Sequence, residues 1–309
     1  MKTNTHNINQ SPLYKLSSRK KLAHNILKIS VSNMENIANK DDSYEKFDIK
    51  QGNKSRRIEI PKPALNNIHK RIFFLLKKIE KPDYLQSGIK DRSYITNAKE
   101  HATNAPIAKI DIQRFFPSIS KVMVYNFFRD TMKCSQDISA ILAKLCTCDN
   151  HVPTGSCISQ SIAYYSTLPL FERISKISTE NDVKFTLYVD DMTFSGNNAT
   201  PAFLWEIKKL IHSFGLKYHK CHFFPKYSNK FVTGVLIRGN SIKVRASKHR
   251  MIWEMLEELK QGPSVNENRK DQILGHMSAA GQIEPRFLET AKLIRTKTKF
   301  NRVNHKKSK

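Results

Sequence analysis

A mixed α/β chain of the α+β kind is what the sequence predicts, on three observations. Runs with the 3.6-residue period of amphipathic helices, such as LNNIHKRIFFLLKKIE and SQSIAYYSTLPLFERISKI, are interleaved with short β-branched segments, such as IAKIDI. One of the β segments, KFTLYVDDMTFSG, reads as a hairpin, so neighbouring strands are antiparallel. The third observation is composition. Only 39% of residues are hydrophobic, yet 17 Phe and 10 Tyr supply a core and exclude wholesale disorder.

The elements follow in order. From Ser17, SSRKKLAHNILKISVSNMENIANK has a capping serine and apolar Leu22, Ile26, Leu27 and Ile29, and predicts a helix. The alternating stretch Tyr44 to Ile60 predicts a strand stopped by Pro61, and Leu65 to Ile79 an amphipathic helix. Ile107 to Ile112 predicts a strand carrying one carboxylate, Asp111. Two helical runs, VMVYNFFRDTM and DISAILAKLCTC, precede the turn-rich HVPTGSC, and one long buried helix is expected from Ser159. The hairpin is expected as strand Phe185 to Val189, a turn at Asp190 and Asp191, and strand Met192 to Ser195. A helix over about 201–214, strands around 216–224 and 231–237 and a basic helical region from Ala246 complete the chain.

The formal net charge is +26, from 53 Lys+Arg against 27 Asp+Glu. Residues 1–105 carry 21 basic and 10 acidic side chains, residues 106–200 nine of each, and residues 201–309 carry 23 and 8. Two basic flanks around a neutral centre suit a polyanionic partner, nucleic acid or an anionic membrane surface. No apolar run approaches the ~20 residues of a membrane span, and MKTNTHNINQ lacks an apolar leader, so a cytoplasmic protein without a membrane partner is expected. The five cysteines lack disulfide spacing; Cys146, Cys148, His151 and Cys157 could be weighed as zinc ligands, but reduced, partly buried thiols are the better reading.

Asp190 and Asp191 lie side by side between apolar strands, and Asp111 ends another. Carboxylates gathered on adjacent strands repel one another unless cations lie between them, and they are the usual oxygen ligands of Mg²⁺. A solvated turn is the ordinary reading of a bare Asp-Asp pair; the flanking residues alter it. YVDD at Tyr188 to Asp191 and DIQRFFPSI at Asp111 to Ile119 resemble the catalytic motifs of reverse transcriptases, and VPTGSCISQ at Val152 to Gln160 resembles their nucleotide-side loop. Asn97, Ala98 and His101 match the N-A-x-x-H element of retron reverse transcriptases, Val232, Thr233 and Gly234 their V-T-G signature, and RRIEIPKPALNNIHKRI the fingers pattern shared with group II introns. The matches run from about Arg56 to Gly234.

The resemblance implies a right-hand polymerase: an N-terminal helix and fingers over 1–105, a palm over 106–230 made of antiparallel sheet plus helices with a fingers insertion at about 121–150, and a helical, basic, RNA-binding thumb over 231–309. It implies that Asp111, Asp190 and Asp191, with the carbonyl of Ile112, hold two Mg²⁺ ions. Arg57, with Arg56 beside it, would meet the triphosphate, Phe116 would be the steric gate against ribonucleotides, Thr154 and Gly155 would line the nucleotide, and Lys220 would meet the leaving pyrophosphate. His219 and Cys221 replace the Lys and Thr expected around Lys220, Gln160 replaces a proline, and Val189 stands where many relatives have alanine. Asn97, His101, Val232, Thr233 and Gly234 would contact RNA, as would the basic surface of Lys243, Arg245, Lys248, Arg250 and the tail Lys306, Lys307 and Lys309. The implied partners are deoxynucleoside triphosphates, a cognate structured non-coding RNA with its DNA product, and an effector protein encoded nearby; the implied setting is antiphage defence. Two alternatives are another bacterial reverse transcriptase, of the group II intron or abortive-infection kind, and a catalytically idle RNA-binding scaffold. Three clustered carboxylates without a cation would be costly to such a scaffold.

Overall fold

The computed structural model describes residues 5–40, 42–52, 54–260 and 267–295. Its helices and strands, in chain order, are α1 (Val31–Asn39), β1 (Tyr44–Gln51), β2 (Lys54–Pro61), α2 (Pro63–Lys77), α3 (Tyr94–Glu100), β3 (Ile107–Ile112), α4 (Phe115–Ser118), α5 (Lys121–Asn126), α6 (Gln136–Cys146), α7 (Ser159–Ser166), α8 (Leu168–Glu180), β4 (Lys184–Tyr188), β5 (Asp191–Ser195), α9 (Pro201–Ser213), β6 (Tyr218–Phe224), β7 (Lys230–Val232), β8 (Val235–Arg238), β9 (Ser241–Lys243), α10 (Ala246–Lys260) and α11 (Glu267–Gly281). A further helix covers 286–295. The mixed α/β reading holds, with every strand pair antiparallel.

Several expected elements are broken by identifiable residues. The helix expected from Ser17 is a π-helical segment, Lys21–Leu27, followed by α1; Lys28 is left-handed and Ser30 caps the new helix through the N–H of Asn33. The strand expected over 44–60 is the hairpin β1–β2, because Gly52 takes a positive φ between them. The long helix expected from Ser159 divides at Thr167, since Pro169 opens α8 and cannot continue α7. The strand expected over 231–237 folds back at Thr233 and Gly234, both at positive φ, as a two-residue hairpin turn requires.

The central sheet has strand order β4-β5-β3-β6 and two unlike faces. One face carries Ala108, Ile110, Ile112, Phe185, Leu187, Met192 and Phe194, all buried. It packs against helices, with Phe203 of α9 edge-on to Phe194. Its core cluster runs continuously from Leu13 to Leu216, so the first 105 residues and the neutral middle share one interior. The registers place Lys109, Asp111, Thr186, Tyr188, Asp191, Thr193 and Ser195 together on the opposite, polar face.

One end of this polar face is closed by the segment after α3. His101 is fully buried, with Nδ1 2.7 Å from the Ser195 hydroxyl and Nε2 2.7 Å from that of Thr186. A neutral imidazole offers one donor and one acceptor, so the ring clamps β4 to β5 with both nitrogens satisfied. Asn97, also fully buried, donates to the Thr233 hydroxyl at 3.4 Å; that hydroxyl donates to the carbonyl of Tyr94 at 2.7 Å. Ala98, Ile107, Val232, Val235 and Ile237 form the apolar cluster beneath. Asn97, His101 and Val232, expected to contact RNA, have no exposed side-chain surface in this fold, and Asn97 joins α3 to the β7–β8 turn through Thr233. Thr233 is half-buried and Gly234 exposed in the same turn.

Past β9, α10, α11 and helix 286–295 enclose their own small core of Val244, Ile252, Met255, Ile273, Met277, Ala280 and Ala291. Lys243, Arg245 and Arg250 are exposed there, while Lys248 is half-buried with Nζ 2.6 Å from His276 Nδ1. The tail lysines 306, 307 and 309 lie outside the described residues. Among those described, no helix is long and apolar enough to cross a membrane.

Burial lowers the pKa of His101 to about 3 and that of the equally buried His69 to about 4. Each depressed pKa contributes stability that is complete above the ordinary value of 6.5 and is lost as pH falls toward the folded-state value. Stability should thus decline below pH 6.5 by up to about 1.4 kcal/mol per pH unit per histidine. His101→Phe strands two buried hydroxyls and should cost about 2–4 kcal/mol in urea unfolding while flattening part of that slope; a cost below about 0.5 kcal/mol would show the clamp to be dispensable.

Candidate active site

Three carboxylates meet at the other end of the polar face. Asp111 lies directly across from Asp191 in the β3–β5 register, and Asp190 occupies the β4–β5 turn, its carbonyl accepting from the N–H of Ile112 at 3.2 Å. The turn differs from the expected one: Tyr188 pairs with Asp191, so Val189 and Asp190 form it, and Val189 has φ 61°. A β-branched residue in the left-handed region is strained, so strand propensity does not explain Val189.

The strain is held by Ser87, which sequence reading did not single out, together with Gln160. The Val189 N–H donates to the Ser87 hydroxyl at 2.9 Å, and the Gln160 side-chain amide donates to the same oxygen at 2.7 Å. Gly88, at φ 69°, lets the chain pass the Gln160 amide, which a Cβ would meet at 2.9 Å. Gln160, the departure from the family proline, thus ties α7 to the turn that carries Asp190.

Lys109 is the second residue missed. It stands two positions before Asp111 on the same face, and its Nζ lies 2.9 Å from Asp191 Oδ2. Alternation along the strand could have suggested it, but the partner follows only from cross-strand register. On the other side a β-bulge shifts the β3–β6 register between Lys109 and Asp111, where Lys220 takes φ 50°. Lys220 Nζ consequently reaches Asp111 Oδ2 at 3.3 Å, with His219 Nε2 3.9 Å from the same oxygen.

Burial, and then the Asp111 charge hydrogen-bonded beside it, raise the pKa of Asp190 to about 7. Burial raises that of Asp191 as well, against the opposing pull of Lys109. Asp111 Oδ1 is buried with no hydrogen-bond donor. An acceptor without a donor beside a carboxyl that resists ionisation is the electrostatic situation a bound cation relieves, so Asp111 and Asp190 fit a divalent metal. The triad is not a closed ligand set, because Asp191 is turned onto Lys109. Among the described residues the group whose ligand atoms all lie within 4.8 Å of one another is Glu59, Cys148 and Asp149. There Asp149 is paired with Lys46 and Glu59 with His151. Cys146, fully buried, and Cys157, exposed, stand apart from it, and all five thiols are unpaired.

The carboxylates open on a cleft of about 1140 Å³ whose walls include Arg56, Arg57, Arg114, Phe116, Thr154, Gln160, Val189, Lys220 and Thr233. Phe116 is half-buried on Phe115, which is itself packed on Phe171, so its ring has a rigid backing. Arg57 pairs with Asp48 at 3.3 Å, both being about half exposed. The Thr154 hydroxyl donates to the carbonyl of Arg57 at 2.7 Å. Gly155 makes its close approach to β2, where a Cβ would meet the Glu59 carbonyl at 2.7 Å.

No family model matches the chain. Among curated proteins it is 28% identical over 246 residues to the Retron Se72 reverse transcriptase of Salmonella heidelberg (strain 579083-10), covering 74% of this chain and 64% of that one. It is 25% identical over 252 residues to the Retron Ec83 reverse transcriptase of Escherichia coli, covering 76% and 80%. To the Escherichia coli Retron Ec48 reverse transcriptase it is 30% identical over 185 residues, covering 55% and 45%. The chain thus spans about two thirds of the Salmonella relative and less than half of the Ec48 relative.

Two outcomes follow from the geometry. The stability that protonated Asp190 contributes is complete below its ordinary pKa of 3.8 and is lost as pH rises through about 7. Asp190→Asn should therefore raise Tm by several degrees at pH 8 and leave it nearly unchanged at pH 4; equal changes at both would reject the repulsion between Asp190 and Asp111. Ser87→Ala removes the acceptor for the Val189 N–H and should cost about 1–3 kcal/mol, measured by urea unfolding, and a neutral result would show that the turn holds itself. By sequence, the chain resembles the retron-type reverse transcriptases.

Proposed function

We propose that the chain is a retron RNA-directed DNA polymerase, built as fingers, palm and thumb. In this reading it binds its cognate non-coding RNA, primes from a guanosine 2′-OH, and copies part of that RNA into RNA-linked multicopy single-stranded DNA. It would act with a nearby-encoded effector in antiphage defence. The observation that carries the reading is the convergence of Asp111, Asp190 and Asp191 on one cleft whose other walls hold arginines, an aromatic ring and a lysine. The similarity to retron enzymes supports the RNA template and the deoxynucleotide substrate.

Two Mg²⁺ ions held by Asp111 and Asp190, with the Ile112 carbonyl and Asp191 completing the set, would activate the attacking hydroxyl and stabilise the leaving phosphate oxygen. Lys109 favours the ionised form of Asp191 and fixes it beside them. Arg57 can exchange Asp48 for the triphosphate at little cost, because a surface pair of this kind contributes only about 0–1 kcal/mol. Its guanidinium then grips phosphate oxygens bidentately. Lys220, aimed by the bulge, supplies the cation for departing pyrophosphate. Phe116, on the cleft wall, would meet a ribose 2′-OH, and Thr154 and Gly155 would set the distance between fingers and nucleotide. Lys243, Arg245, Lys248 and Arg250, with the turn at Thr233 and Gly234, offer the RNA stem a basic surface.

Nucleic acid extracted from protein purified from its native locus should contain DNA joined to RNA through a 2′ branch; recovery of unlinked RNA alone would contradict the retron reading. Phe116→Ala should relax discrimination against ribonucleotides by at least about tenfold, some 1.4 kcal/mol of transition-state preference. Unchanged sugar selectivity would remove Phe116 from the gate position.

A further inference from the structure

A second cavity, of about 500 Å³, lies where the end of α1, β1, α2, the start of α5 and the end of α6 meet. Its size is that of a small-ligand site. Four lysines, Lys40, Lys46, Lys121 and Lys144, stand on its walls against one carboxylate, Asp149. Both oxygens of Asp149 are taken by Lys46 Nζ at 2.8 Å. Lys144 donates to the neutral Asn39 side chain at 2.8 Å, and among the described residues neither Lys40 nor Lys121 stands within ion-pair distance of a carboxylate. Three lysines without an ion pair among the described residues therefore line one opening, with Lys40 in the field of nearby Asp42. Tyr44, 7% exposed, lines the same wall with a buried hydroxyl that has no hydrogen-bond partner.

The cavity adjoins the cleft. Tyr44, Lys46 and Asp48 succeed one another on one face of β1; the first two line the cavity and the third the cleft. The Glu59–His151 pair, 3.0 Å apart, stands on the cleft side of the boundary, and Cys148 and Asp149 on the cavity side. Lysines bind phosphate as compact point charges, and an array of three suits a phosphate group with a nucleoside-sized body attached.

We propose that this cavity is a phosphate-binding site. Its ligand is either the backbone of an RNA strand continuing beyond the cleft or a free nucleotide. The site rests on the charge and shape of the cavity and not on the polymerase assignment. The test uses the full chain carrying Lys121→Ser with Lys144→Ser, and Lys144→Ser alone as a milder change on an exposed helix position. An RNA strand in the cavity predicts weaker binding of a 20-nucleotide single-stranded RNA, by about tenfold at 0.15 M salt, with a log–log salt slope shallower by about 1.4 for two lost phosphate contacts. A free nucleotide predicts instead an unchanged RNA slope and a smaller rise of Tm with ATP in the variants than in the parent; ATP held in the main cleft contributes equally to both. Parent-like RNA slopes together with parent-like ATP shifts in the folded variants would overturn the proposal. Primer extension on a short RNA–DNA duplex, measured alongside, should stay at the parent level in either case; its absence from the parent itself would count against the polymerase assignment alone.

Discussion

Everything at the candidate active site depends on one electrostatic constraint, the meeting of Asp111, Asp190 and Asp191 at one end of the polar face of a four-stranded sheet. Burial and mutual repulsion oppose their ionisation, and Asp190 shows the effect most strongly. Two cations are placed against this repulsion by different devices. Lys109 comes from strand alternation and takes Asp191, while Lys220 comes from a β-bulge and takes Asp111. One acceptor, Asp111 Oδ1, is left without a donor. The sheet therefore stores an unmet demand for positive charge at a fixed point, with its apolar face anchored in the main core.

The remainder of the fold keeps that point rigid. His101 joins β4 to β5 beneath the far end of the same face, and Asn97 with Thr233 locks α3 to the β7–β8 hairpin. Gln160 and Ser87 connect α7 to the strained turn at Val189, so that one helix and the hairpin carrying Asp190 and Asp191 are tied together. Preorganisation of this kind matters for phosphoryl transfer, where positioning and fixed charge supply most of the rate. A turn held at unfavourable φ by surrounding hydrogen bonds keeps the Asp190 carboxyl where relaxation would withdraw it.

Much of this was legible in the sequence, and its limits are physical. Alternation and flanking breakers were enough to give Ile107–Ile112 its correct bounds, and the three aspartates were visible from motif spacing alone. The partners of those aspartates were not, because Lys109 meets Asp191 only once the β3–β5 register is set, and Lys220 meets Asp111 only through a bulge. The Asn97–Thr233 contact spans 136 residues, so two motifs that each looked like a surface for RNA gave no sign that they face each other. Breaks at Lys28, Thr167 and Val189 were hidden because each lies inside a run whose periodicity or strand propensity continues through it. Gln160 stands in the sequence only as a replacement for proline, whereas its side chain bonds Ser87 and so connects α7 to the Val189 turn.

The central claim is that the Asp111–Asp190 pair forms the metal-dependent centre of DNA synthesis. It is tested most directly by single-turnover extension of a DNA primer on an RNA template in Mg²⁺, comparing the parent with Asp190→Asn at matched stability and matched RNA affinity. The predicted result is loss of the chemical step by at least about 10³-fold, more than about 4 kcal/mol, with RNA binding intact. Extension within a few-fold of the parent would contradict the account.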